Sequence, residues 1–118
     1  MSAQSAGRRG ERLALRYLRR RGYRLLQRNY RHGRHEIDLV MQDGDCLVFV
    51  EVKARSNIAF GTPAMAVGRE KQRFLRLAAA AYMQRHRCAA QPARFDVVEV
   101  TPAEGGLLVH CIRSAFEL

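Results

Sequence analysis

Apolar residues recur at helical spacing near the start of the chain, with Leu15 and Leu18 on one side and arginines around the rest. This predicts an amphipathic helix over 3–21, ended by Gly22 as a C-terminal cap. Residues 23–31 then alternate like a strand, and His32-Gly33 marks a turn. Two runs follow, 36–41 and 46–54, separated by an Asp43-Gly44 hairpin signal. One face of that hairpin carries Ile37, Leu39, Cys46, Val48, Val50 and Val52. The other is apolar at Val40, Leu47 and Phe49. Strands apolar on both faces need covering on both sides, which predicts an α/β sandwich. Residues 56–63, with Gly61 and Pro63, read as a loop. A helical stretch runs from about 63 to 87 with a break near Gly68, bearing Phe74, Leu77, Ala78, Ala81 and Tyr82. Strands over 95–100 and 107–112, joined by a Pro-Ala-Glu-Gly-Gly turn, precede a short helical tail over 114–118.

The hairpin carries the candidate chemistry. With Asp43-Gly44 as the two loop residues, Glu36 lies opposite Glu51 and Asp38 opposite Phe49. Glu36, Asp38, Glu51 and Lys53 then share one face. Like charges across a strand pair are destabilising, so the arrangement implies a cation between the carboxylates. Magnesium, or manganese in its place, suits such oxygen ligands and a substrate phosphate.

Charge sharpens this reading. The chain has 21 Lys and Arg against 11 Asp and Glu, a net charge of +10, and only Lys53 and Lys71 are lysines. Wherever a positive charge merely solubilises, arginine has been used. Lys53 therefore marks a position that wants a compact ammonium rather than a fixed guanidinium fork. The first 35 residues hold eleven arginines, Arg8, Arg9 and Arg12 among them, and a single acid, Glu11. Such a segment is a footprint for nucleic-acid phosphates. Glu11 sits at the edge of the apolar face, where it either points to the carboxylate end of the sheet or serves the helix start through the macrodipole. Asp96, inside an apolar strand, reads as edge-facing or hydrogen-bonded, not as a metal ligand.

At 118 residues the chain is expected to form a single domain, 1–118, with one modest core. Cys46, Cys88 and Cys111 are odd in number and lack C-x-x-C spacing, which predicts reduced thiols and a cytoplasmic setting. His32 and His35 have no cysteine partners at zinc-ligand spacing. No secretory segment or run of 18 apolar residues suggests a membrane.

The order helix, three strands, helix, strands, with an acid in the second strand and Glu51-Val52-Lys53 in the third, resembles the PD-(D/E)xK nuclease superfamily. More narrowly, Glu36-Ile37-Asp38-Leu39-Val40 followed by Phe49-Val50-Glu51-Val52-Lys53-Ala54-Arg55 resembles the YraN-like bacterial family, itself similar to archaeal Holliday junction resolvases. The likeness runs from about Gly7 to Val100. It implies a restriction-endonuclease-like three-layer sandwich around a central mixed sheet. It also implies Mg-dependent endonuclease activity on DNA, branched or structured DNA included, and a homodimer. On that pattern Asp38, Glu51 and Lys53 are catalytic. Glu11, Asp38, Glu51 and Lys53 fall on its metal-site positions, and Lys71 on a recurring lysine. The hairpin face adds Glu36 as an auxiliary metal ligand, and the charge distribution adds Arg8, Arg9, Arg12 and Arg55 to Lys71 as the residues expected to meet nucleic acid. His35 departs from the pattern, which usually has glycine before Glu-Ile-Asp. The competing expectation is a non-cleaving nucleic-acid-binding accessory protein. It accounts for the charge but gives Asp38, Glu51 and Lys53 nothing to do.

Overall fold

The computed structural model describes residues 3–54 and 68–116. Helix α1 spans Ala3–Arg20, strands β1 Arg24–His32, β2 His35–Asp43 and β3 Cys46–Ala54, helix α2 Arg69–Arg85, and strands β4 Ala93–Ala103 and β5 Gly106–Phe116. The strands form one sheet in sequence order, β1-β2-β3-β4-β5. All neighbours are antiparallel except β3 and β4, which run parallel around α2. A parallel pair needs a long crossover, and the segment containing α2 supplies it.

The helices cover opposite faces. Ala14, Leu15 and Leu18 of α1 pack with Leu39, Met41, Val48, Val50 and Val98. On the other face Leu75, Ala78, Ala79 and Tyr82 of α2 pack with Val40, Leu47, Phe49, Phe95 and Val97. The alanines let α2 lie close to the sheet. Helix α1 ends as its sequence predicts: the Gly22 N–H donates to Arg19 O at 3.0 Å and the Tyr23 N–H to Leu18 O at 3.1 Å. Gly22 has φ 93°. This is a Schellman cap, closed by apolar contact between Tyr23 and Leu18 in one cluster.

Among the described residues the structure departs from the sequence expectations in three places, and the loop expected over 56–63 lies outside those residues. The hairpin loop is Gly44-Asp45, so Asp43 faces Cys46 and Leu39 faces Val50. Gly44, with φ 60° at the first central position, has the glycine-first turn geometry, so the glycine and not Asp43 begins the turn. The pairing is thus displaced by two residues from the one expected. A shift of two keeps every side chain on its own face, so the core is unaffected, but it changes which residues meet.

The second departure concerns faces. Tyr30 and Ile37, opposite each other, lie in the α2-side cluster, whereas Leu39 two residues along lies in the α1-side cluster. Both strands switch phase between these pairs, where Asn29 takes φ 52°. Asparagine tolerates that left-handed conformation better than most residues. The third departure is the C-terminus. Residues 114–116 continue β5 instead of forming a helical tail, because Phe116 stacks on buried Phe95 at 4.6 Å between centroids.

Candidate functional site

The shifted register carries Asp38 to the place across from Glu51 that Glu36 was expected to hold. The regular β2–β3 ladder stops at Leu39 and Val50, and beyond it Asp38 Oδ2 accepts the Val52 N–H at 2.8 Å. A side chain thus takes over a ladder hydrogen bond as the strands part. Glu51 is only 5% exposed, its Oε1 accepting from Lys71 Nζ at 2.8 Å. Its other oxygen, Oε2, is buried with no hydrogen-bond partner among the described residues. A buried carboxylate oxygen left unpaired costs free energy and marks a place where a ligand would be welcome.

The electrostatics follow from this crowding. Burial, then the charge of Glu51 and more weakly that of Glu11, push the Asp38 carboxyl up to about 7 against the pull of the Val52 N–H and Lys71. Burial and the neighbouring Lys71 lower the Lys53 ammonium, opposed by Glu51 and Asp38. For Lys71, burial is outweighed by the hydrogen bond and charge of Glu51, and its ammonium is raised. The only two lysines of the chain therefore meet at one pair of carboxylates. Lys71, an expected nucleic-acid contact, pairs with Glu51 while its side chain stays 40% exposed.

Glu11 and Glu36 form a second, adjoining group. The phase switch at Asn29 separates Glu36 from the face of Asp38 and Glu51. Asn29 Nδ2 donates to Glu11 Oε1 at 3.0 Å and to Glu36 Oε1 at 2.7 Å. Arg31 Nε adds a contact to Glu36 Oε2 at 3.4 Å. Glu11 thus turns toward the sheet. It lies outside the first turn of α1, which holds no acid. Asn29 gave no sequence signal, being one polar residue in an arginine-rich strand.

Carboxylate donors of this kind suit a hard cation such as magnesium or manganese. Magnesium takes one or two carboxylates and fills the rest of its shell with water and phosphate, and Asp38 with the open oxygen of Glu51 matches that demand. Among the described residues no three His, Cys, Asp or Glu side chains converge as a ready-made cage. Zinc, which wants four nitrogen or sulfur ligands in a structural site, finds no such set there.

The basic residues divide between regions. Arg12, Arg16, Arg19 and Arg20 of α1 join Arg28 of β1 and Leu15 around a groove of about 510 Å³. Arg8 and Arg9 are exposed on the same helix, and Arg55 lies outside the described residues. Cys46, Cys88 and Cys111 are free thiols. Among the described residues no helix is long and apolar enough to cross a membrane. Asp96 is fully buried and hydrogen-bonded, as one of the two sequence alternatives had it.

A family model described as Uncharacterised protein family UPF0102 matches residues 10–100, from the glycine beside Glu11 to Val100 in β4. The chain belongs to that family. It is the YraN-like family that the hairpin motif resembles. Among curated UPF0102 proteins, one from Stutzerimonas stutzeri is 46% identical over 116 residues, covering 98% of this chain and 97% of the relative. The relative from Symbiobacterium thermophilum is 45% identical, covering 97% and 98% respectively. That from Syntrophus aciditrophicus is 44% identical, covering 95% and 88%. Similarity thus extends over most of the length of these three relatives.

The raised Asp38 carboxyl has a consequence for stability. Between its ordinary value of 3.8 and about 7, the folded protein holds a proton at Asp38 that the unfolded chain has released. Metal-free stability should therefore fall as pH rises through that window. Asp38→Asn keeps the acceptor for Val52 and removes the charge, so it should flatten this dependence and stabilise the protein at pH 8 by on the order of 2 kcal/mol. Urea unfolding at pH 5 and pH 8 in EDTA measures both. Equal pH slopes for wild type and variant would place Asp38 in an ordinary, solvated setting.

Proposed function

We propose that this UPF0102 protein is a metal-dependent endonuclease of the restriction-endonuclease-like fold, acting on DNA, with branched or structured DNA as the preferred form. The observation that carries the reading is the meeting of Asp38, Glu51, Lys53 and Lys71 at one end of the sheet, with the Glu51 Oε2 atom buried and unpartnered among the described residues. The five-stranded mixed sheet between two helices is compatible with that fold.

Asp38 and Glu51 are the residues that hold magnesium or manganese, with Glu11 close enough to be felt at Asp38. When bound, the ion supplies phosphate polarisation and a more acidic water. Lys53 orients the attacking water, and its lowered ammonium can exchange a proton there more readily than an ordinary lysine. Lys71 holds Glu51 in place from α2. Glu36 acts one step away, fixing Asn29 and through it Glu11. A homodimer belongs to this proposal, because symmetric cutting of a junction needs two sites.

A second reading has its own observation. Lys71 already neutralises one oxygen of Glu51, as it would in a domain that binds nucleic acid and does not cleave it. Plasmid, single-stranded and four-way junction DNA incubated with magnesium, manganese or EDTA separates the two. Metal-dependent nicking supports the nuclease; retained binding with no product under any metal supports the accessory protein.

DNA binding itself should depend on the arginine groove. Replacing Arg12, Arg16 and Arg19 should weaken binding and reduce the log-log salt slope by about 0.9 for each phosphate no longer neutralised. Fluorescence titrations at several salt concentrations read the slope. An unchanged slope would make these arginines solubilising residues only.

A further inference from the structure

A second cleft, of about 540 Å³, lies between the β1–β2 turn and α2. His32, Arg34 and His35 line it from the turn, and Glu70, Phe74 and Leu77 from the helix. Its wall is unlike that of the arginine groove. His35 and Phe74 stack with centroids 4.0 Å apart and planes within 15°. Both rings are only half-buried, and Leu77 beyond them is 50% exposed. An open two-ring stack beside an exposed leucine offers a flat apolar surface, with one cation, Arg34, and one carboxylate, Glu70, also lining the cleft.

The cleft adjoins the carboxylate site along its helix wall. Glu70 immediately precedes Lys71, which binds Glu51, and Phe74 follows Lys71 by three residues, about 4.5 Å along the helix axis. Residues three apart lie on the same side of a helix. On the strand side His35 is followed by Glu36, which belongs to the adjoining Glu11–Asn29 group.

We infer that this cleft seats one unpaired nucleobase of the bound nucleic acid, stacked as a third ring on the His35–Phe74 pair. The inference rests on the reading of the protein as a nuclease and narrows its substrate to DNA with an unstacked base beside the scissile phosphate. A base has a π-face of the size and flatness the surface offers, and stacking on exposed aromatic side chains is how single strands are held without sequence readout. Glu70 can accept hydrogen bonds only from a donor edge, which the amino groups of cytosine, adenine and guanine provide. Arg34 suits the phosphate that accompanies the base. A fully paired duplex has no free base to offer, so the cleft discriminates single-stranded, gapped or branched DNA from it.

The test uses oligonucleotides carrying 2-aminopurine, whose fluorescence falls on stacking, bound to the full-length protein in EDTA. A single strand should show quenching on binding that a blunt duplex of the same sequence does not. Phe74→Leu should weaken single-strand binding about tenfold and leave duplex affinity within about twofold, while Phe74→Tyr retains both. Absence of quenching in wild type, or an equal loss on both DNAs, overturns the inference. Should Phe74→Leu unfold the protein, the wild-type quenching comparison decides alone, since it needs no substitution. Because stacking is read in EDTA and cleavage in the separate magnesium and manganese incubations, a protein that quenches in the first and gives no product in the second refutes the nuclease reading and leaves base stacking standing. One that cleaves without quenching does the reverse.

Discussion

Glu51→Gln should lower DNA cleavage by about a thousandfold or more while leaving DNA binding equal or tighter. The amide keeps the size of the side chain and can still meet Lys71, so the α2 contact at 2.8 Å is largely preserved. What it removes is the negative charge beside the buried oxygen, and with it a ligand of the proposed ion. One fewer negative charge facing the DNA phosphates accounts for the tighter binding. Asp38→Asn should behave alike in cleavage, and Lys53→Arg should bind DNA normally and cleave poorly, since the guanidinium cannot take the place of a compact, deprotonatable amine. Melting curves with added magnesium supply the independent reading. At ten times a millimolar dissociation constant the ion should stabilise wild type by about 1.4 kcal/mol and Glu51→Gln by far less. Wild type with no metal-linked stabilisation at that concentration would remove the metal site, and the nuclease with it.

The parts of this site that could be read in the sequence are those set by periodicity. The apolar run after the hairpin signal places β3 over 46–54, and Leu15, Leu18 and Gly22 fix α1 and its cap. Two-sided apolar strands demanded helices on both faces, and they are there. The pairing of Asp38 with Glu51 was not legible, because Asp43-Gly44 and Gly44-Asp45 are both acceptable hairpin loops and bury the same residues. Only the site distinguishes them: the first sets Glu36 against Glu51, the second sets Asp38 there. The phase switch that removes Glu36 from the group depends on the backbone of one residue, Asn29, which no spacing reveals. Lys71 was visible as the second of two lysines, but its partner lies 20 residues away, on a different element, where no helical or strand period connects them. Phe116 was invisible as a strand residue because its role is a stack on Phe95, far along the chain.

The largest effect on stability is expected at Arg94, remote from the carboxylate pair. Its Nε donates to Asp96 Oδ1 at 3.1 Å, and its Nη2 donates to the Tyr23 hydroxyl oxygen at 2.6 Å and to Asp43 Oδ2 at 3.0 Å. One guanidinium thus ties β4 to the end of α1's cap and to the β2–β3 hairpin whose register sets the site. Asp96 is fully buried, and it also accepts the Ser114 N–H at 3.0 Å across the bulge into β5. Arg94→Met keeps much of the apolar stem and leaves that carboxylate without its countercharge, which should cost about 3 to 5 kcal/mol. For a domain of this size the melting temperature should fall by roughly 10–20 °C. The partner explains the loss, so a second substitution should return part of it. Asp96→Asn in the Arg94→Met background still accepts from Ser114 and no longer buries a charge, and it should recover at least about 1 kcal/mol relative to the single variant. Thermal and urea unfolding of the four proteins in this cycle give the coupling directly. Additive losses, with no recovery in the double variant, would mean that Arg94 stabilises the fold by packing on Tyr23 at 5.5 Å and not by neutralising Asp96.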